Sequence, residues 1–133
     1  MAFVLDACVC AAWALADESS AIADRSALQL MKEIARVPTV WWYEVRNLLV
    51  VNERRQRLTE ADTAVFLDLL TGYPIEMDSE PDEELTLRLA RQHRLSFYDA
   101  AYLSLAVREH LPLATLDKAL QSAAAAEGVA LLG

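Results

Sequence analysis

The sequence has few residues that break chain structure: three glycines and four prolines in 133 positions. Disordered tracts, flexible linkers and collagen-like repeats all need more of them, so those classes are excluded. Cysteine is nearly absent. Cys8 and Cys10 are the only two, too few for a four-ligand zinc site and too closely spaced for the disulfide framework of a small secreted domain. Two small free cysteines fit burial in a reducing compartment. Long apolar runs are missing as well. The stretch over residues 1–16 comes nearest, but it has no basic head and Asp6 interrupts it, which argues against a signal peptide. No other run approaches the ~18 apolar residues of a membrane span. The expectation is a soluble, cytoplasmic chain without a membrane segment. Positive charge is scarce too: 12 basic against 20 acidic residues leave a formal net charge of −8. That is the wrong sign for a protein that holds nucleic acid by surface charge. It fits ordinary solubility, a basic protein partner, or carboxylates collected for a metal ion.

What the sequence does contain is apolar material, 55% of the chain, enough for one core in one domain spanning residues 1–133. Short apolar runs alternate with longer segments of helical period. That alternation predicts an α/β domain with a mostly parallel sheet. About five short strands are expected, over residues 2–5, 37–40, 74–77, 113–115 and 129–131, and their unbroken hydrophobicity predicts burial on both faces. Residues 20–36 read as a helix with Ala27, Leu30, Met31 and Ile34 on the buried face. A second helix starts near Trp41 or Trp42 and runs to about Arg55. Thr59 with Asp62 predicts a capping box for a third. Ser79, Pro81 and Asp82 open a fourth, Ser96 with Asp99 a fifth, and an Ala-rich helix over 116–126 ends at Gly128.

Four acids fall at the ends of these elements. Asp6 follows the first strand and Asp117 lies just past the fourth, in Ala114-Thr115-Leu116-Asp117. Glu44 and Asp99 stand in the first turns of two helices. Ligands of open α/β sheets bind beyond the carboxyl ends of the strands. Each acid also has an ordinary role at its position: Asp6 and Asp117 as helix N-caps, Asp99 as the third residue of a capping box, Glu44 as a complement to a helix dipole. Their surroundings favour a joint role. Asp6 sits in Phe3-Val4-Leu5-Asp6-Ala7 and Asp99 in Tyr98-Asp99-Ala100-Ala101-Tyr102, with no Lys or Arg in either stretch. Carboxylates gathered in such apolar company repel one another unless a cation joins them. Hard oxygen donors select Mg²⁺ or Mn²⁺.

Four segments carry a resemblance: Val4-Leu5-Asp6-Ala7, Tyr43-Glu44-Val45-Arg46-Asn47-Leu48-Leu49, Tyr98-Asp99-Ala100-Ala101-Tyr102-Leu103 and Ala114-Thr115-Leu116-Asp117-Lys118-Ala119-Leu120. In order, spacing and total length they resemble the four motifs of PIN-domain ribonucleases, most closely the VapC-type toxins of toxin–antitoxin pairs. The resemblance implies a PIN-like α/β/α sandwich and a metal-dependent endoribonuclease that hydrolyses RNA. Asp6, Glu44, Asp99 and Asp117 would be the catalytic and metal-binding quartet around Mg²⁺ or Mn²⁺. Asn47 and Thr115 would support them. A cognate antitoxin and a homodimer are the implied partners. The chain departs from the pattern at Cys8, where the family often has Ser or Thr.

Ten of the twelve bases are arginine, the side chain suited to bidentate phosphate contacts. Arg46, Arg54 and Arg55 are the candidate RNA contacts, although a solvated helix face explains them equally. Arg57, Arg88, Arg91 and Arg94 read the same way. Trp41, Trp42 and Tyr43 are expected to pack in the core or at an interface rather than stack on bases. His93 and His110 are expected at the surface, and the acidic run 76–84 as a helix start. Two other classes fit parts of the sequence. A catalytically inactive PIN-fold protein-binding module would account for Cys8 and the acidic balance. A phosphoryl-accepting receiver would require an acidic pair after the first strand, where Asp6 is followed by Ala7.

Overall fold

A computed structural model describes every residue except Ala16, which closes the apolar N-terminal stretch, Ser19 and Gly133. Strand β1 (Ala2–Leu5) comes first and ends in the middle of the sheet. Helices α1 (Ala7–Ala12) and α2 (Ala21–Leu30) lead to β2 (Ile34–Val37). Helices α3 (Val40–Arg54) and α4 (Glu60–Leu70) lead on to β3 (Ile75–Met77). Then α5 (Glu83–His93) and α6 (Phe97–Glu109) carry the chain back to β4 (Leu113–Ala114), and α7 (Lys118–Ala126) follows. The sheet order is β3-β2-β1-β4 and every pairing is parallel. This is an α/β fold with a four-stranded parallel sheet flanked by helices.

The order has a consequence for function. From β1 the chain builds outward through β2 and β3, then returns to place β4 on the opposite side of β1. The switch point therefore lies between the carboxyl ends of β1 and β4, where loops diverge and leave a crevice. Asp6 follows one of these strands and Thr115 to Asp117 follow the other.

Strands β1 and β4 are short, buried runs, as expected for a covered parallel sheet. Towards the β3 edge the expectation fails: β2 exposes Ile34, and none of Ile75 to Met77 in β3 is fully buried. Phe3, Val4, Leu5, Leu113 and Ala114 are 0% exposed. Helix α6 supplies Tyr102, Leu103, Leu105 and Ala106 to the same continuous core, together with Leu89 from α5 and Leu120 from α7. Each large aliphatic buried this way contributes about 1.5–3 kcal/mol from desolvation.

Several element boundaries differ from the sequence expectation. The helix expected over 20–36 stops at Leu30, and Ile34 to Val37 form β2 instead. The face that α2 buries is Ala23, Ser26 and Leu30, while Leu28 is 64% and Met31 82% exposed. Apolar spacing alone could not separate helix from strand here. Pro38 sets the true strand end, because proline cannot donate to a ladder, so Val40 begins α3 rather than ending β2. The fifth strand shrinks to one parallel bridge between Leu113 and Leu131. Helix α1 was not anticipated; its six residues are too few to show a period. The capping box at Thr59 and Asp62 is formed in full. His93 is not a free surface group: its Nε2 lies 2.7 Å from Glu127 Oε2, joining α5 to α7.

If α6 is the core helix and the outer face of α2 is open, two leucines should behave oppositely. Leu103→Ala should destabilise the chain by about 2–5 kcal/mol, and Leu28→Ala by less than about 0.5 kcal/mol. Urea unfolding followed by circular dichroism measures both, and equal costs would contradict the packing described for α2.

Candidate functional site

Asp6 extends the β1–β4 ladder by one step, its N–H donating to the Ala114 carbonyl at 3.0 Å. It occupies the N-cap position of α1 yet makes no side-chain cap bond. Its Oδ2 instead accepts the Thr115 hydroxyl at 2.6 Å and the Cys8 thiol at 3.2 Å. Both bonds fall on one oxygen. Oδ1 takes none among the described residues. Thr115 is 1% exposed, and its Oγ1 also accepts the Asp117 backbone N–H at 3.1 Å. One buried hydroxyl therefore links the acid after β1 to the acid after β4.

Asp117 does serve as an N-cap. Its Oδ1 accepts from the N–H groups of Ala119 at 2.8 Å and Leu120 at 3.3 Å. Asp99 behaves differently. Ser96 caps α6 by accepting the Asp99 N–H at 3.1 Å, but the reciprocal bond of a capping box is not made. The Asp99 carboxylate is thus not needed to end its helix. Glu44, on α3, accepts a 2.6 Å bond at Oε1 from the hydroxyl of Tyr102, itself 0% exposed.

All four acids line one cavity of about 590 Å³, and Asn47 and Cys8 line it with them. No lysine or arginine does, among the described residues. A larger cavity of about 1200 Å³ lies elsewhere, between α2 and α4. Its walls are mostly apolar and its acids are Glu18 and Asp24, so the four candidate acids are gathered in the smaller one.

The electrostatics show the strain of this arrangement. Burial lifts the Asp6 carboxyl above its ordinary value, with Asp99 adding to the lift and the bonds from Thr115 and Cys8 opposing it. Burial also lifts Glu44, aided by Asp6 and Asp99 and opposed by Tyr102. Asp99 is raised by burial and then by Asp117. Asp6, Glu44 and Asp99 are therefore held in a site that resists their charge. Cys8 is pushed up to about 12, chiefly by burial and then by Asp6, so it remains a protonated donor. A thiol here does the bonding that a hydroxyl would.

The donor set fits a hard divalent cation: clustered carboxylate oxygens, one amide side chain, and no competing base. As the side chains stand, no group of three or more His, Cys, Asp or Glu among the described residues is arranged closely enough to hold a metal ion. Asp117 Oδ1 is engaged by the Ala119 N–H and Glu44 Oε1 by the Tyr102 hydroxyl.

The arginines fall elsewhere. Arg46 lies 4.0 Å over the Trp42 ring and donates to the Trp42 carbonyl at 3.0 Å. Arg54 and Arg55 sit at the far end of α3, about 15 Å along the helix from Glu44. None of the three lines the cavity. Arg57 pairs with Asp17 and Glu18, and Arg88 with Glu127. Of the aromatic run, Trp41 packs as expected, but Trp42 is 42% and Tyr43 69% exposed. The acidic run 76–84 is not simply a helix start: Asp78 is buried and bonds Arg108 at 2.6 Å. Sequence reading missed Tyr102 and Tyr98 as site residues. Tyr102 had a visible signal, one helical turn beyond Asp99.

The family model described as PIN domain matches residues 3–126. The crystal structure of PAE2754 from Pyrobaculum aerophilum is similar to this chain at 26% identity and a TM-score of 0.70, covering 92% of this chain and 87% of that one. No curated protein matches significantly. Among the described residues no helix is long and apolar enough to cross a membrane.

The raised Asp6 carboxyl makes a prediction about pH. In the folded chain it holds its proton to higher pH than in the unfolded chain, where the ordinary value is 3.8. Its contribution is therefore most favourable below that value and is lost as pH rises through the raised one. Without metal, Asp6→Asn should raise Tm near neutral pH by a few degrees, with the gain shrinking towards about pH 4. Thermal melts in chelator across that range measure it, and a gain that grows towards acid would contradict the assignment.

Proposed function

From the premise that the chain belongs to the PIN-domain family, whose members are generally nucleases, we propose a metal-dependent endoribonuclease that acts as the toxin of a toxin–antitoxin pair. The observation that carries the catalytic part is the shared cavity: Asp6, Glu44, Asp99 and Asp117 line it without a single basic side chain. These four carboxylates would hold Mg²⁺ or Mn²⁺, which when bound would supply water activation and charge neutralisation at the phosphate.

The chain's own residues have distinct parts. Thr115 and Cys8 occupy Asp6 Oδ2 and so turn Oδ1 towards ligand duty. Tyr102 holds Glu44 by Oε1, which leaves Oε2 for the cavity. Asn47, one turn along α3 from Glu44, offers an amide to a phosphate or to water. In the hydrolysis the water oxygen bonds to phosphorus as the phosphodiester P–O bond breaks, and the leaving oxygen takes up a proton. Among the described residues no histidine lines the cavity, so a carboxylate is the group available to hold the proton from water.

The toxin part is supported by four motifs in the order and spacing of VapC-type toxins, in a chain almost wholly taken up by the PIN match. A cognate antitoxin and a second copy of the chain are the partners this reading implies. The open apolar groove between α2 and α4, with Leu28, Met31 and Leu69 exposed beside it, is consistent with a protein partner, since monomers rarely leave such a surface bare.

Millimolar Mn²⁺ or Mg²⁺ should raise Tm, by about 2.7 kcal/mol of stabilisation when the ion stands at a hundred times its Kd. Asp6→Asn and Asp99→Asn should each abolish most of that rise. They should also lower cleavage of single-stranded RNA at least ~100-fold, while circular dichroism shows the fold intact. A wild-type Tm indifferent to both ions would sink the metal-dependent reading.

A further inference from the structure

A nuclease with this charge has a binding problem. The chain carries −8, its cavity is lined by four acids and no base, and Arg46, Arg57, Arg88 and Arg108 are engaged by other groups of the protein. Among the described residues no basic side chain lines the cavity, so phosphate contacts of the kind that usually give affinity for nucleic acid are not built into its walls.

The cavity does offer aromatic rings. Tyr43, on α3, and Tyr98, on α6, both line it, and they are 69% and 60% exposed. Each is the residue immediately before one of the acids: Tyr43 before Glu44, and Tyr98 before Asp99. The pair thus comes to the cavity from the same two helices that bring two of the carboxylates. Tyr43 is also pre-ordered. Trp42 meets it edge-on with ring centroids 5.0 Å apart, and Arg46 stacks on the Trp42 ring at 4.0 Å. Large aromatic faces held in place and open to water are costly unless something covers them.

We propose that Tyr43 and Tyr98 form a stacking clamp that takes one unpaired base on either side of the phosphate to be cleaved. The clamp supplies the binding that charge does not, and it favours unstacked single strands because in a duplex the faces of each base are already covered by its stacked neighbours. Every base has a π-face, so stacking tolerates sequence. This inference rests on the nuclease reading above and adds the feature of the substrate that the site reads.

The test uses the wild-type chain with Ca²⁺, a hard cation that can occupy the carboxylates but activates water poorly, and a fluorescent single-stranded RNA of about 12 nucleotides, a length within known single-strand site sizes. Anisotropy should show affinity falling about tenfold on adding Tyr43→Ala or Tyr98→Ala, with Tyr→Phe at either position restoring it. The same RNA annealed to its complement should compete at least about tenfold less well. Binding should also depend weakly on salt, with a log–log slope shallower than about −1.5, equivalent to two phosphate contacts. Unchanged affinity in both alanine variants, equal competition by the duplex, or no binding by the parent would each overturn the clamp. The two readings fail separately. The tyrosine variants should keep the full Mn²⁺-induced rise in Tm, so a lost clamp leaves the metal site standing. Absence of that rise in the wild type is the failure of the nuclease reading instead.

Discussion

Two buried carboxylates, both 6% exposed, show what the site costs the fold. Asp78 is held by Arg108 at 2.6 Å with Arg36 nearby at 3.9 Å. Asp6 is held by a hydroxyl and a thiol, and its nearest charged influence is another acid, Asp99. A buried acid left without a cation is among the more expensive features a small protein can carry. This chain has the arginines to neutralise one and uses them at Asp78, some distance along the sheet. The absence of such a partner at Asp6 is thus a local property of one cavity, not a general shortage of bases.

The arrangement depends on topology before it depends on any side chain. Placing β4 beside β1, after the chain has already passed through β2 and β3, brings the end of the first strand against the end of the last. Over a hundred residues separate Asp6 from Thr115, yet a 2.6 Å bond joins them. That bond, and the Asp117 N–H on the same hydroxyl, fix the two strand-end acids in relation to each other. Tyr102 does the equivalent for Glu44 from α6 to α3. The acids are held by neutral donors that constrain their position without cancelling their charge.

Much of this was legible in the sequence, and the pattern of what was not is physical. The acids themselves stand out because Asp6 and Asp99 interrupt apolar runs that have no nearby base. The capping box at Thr59 and the helix starts at Asp82 and Ser96 follow from local hydrogen-bond chemistry, which the sequence displays directly. The boundary between α2 and β2 was not legible, because Leu30, Met31 and Ile34 fit a helical face and the start of a buried strand alike. Nor were the long-range partners. Asp78 reads as one more acid at a helix start, since Arg36 and Arg108 lie far from it in sequence. Cys8 reads as a weak substitute for a hydroxyl, and only the 3.2 Å contact with a thiol held protonated shows that it performs the same task. The single acids could each have been caps; the structure separates them, with Asp117 capping its helix, Asp6 making no such bond, and Asp99 left out of its capping box.

Repulsion inside the cavity also connects stability to function. In the metal-free chain, burial and mutual charge raise Asp6, Glu44 and Asp99 together, and the side chains stand too far apart to close on an ion. Under the proposed nuclease reading, a bound divalent cation would offset the free energy that burial of these charges removes from the fold. The same binding would change the field that an approaching polyanion meets. The cavity is a concentration of negative charge in a chain already at −8; two divalent ions would halve that excess, and would do so within the cavity itself. An acidic protein can therefore act on nucleic acid without a basic surface, provided that the ion carries the positive charge and the rest of the binding comes from groups that do not depend on charge.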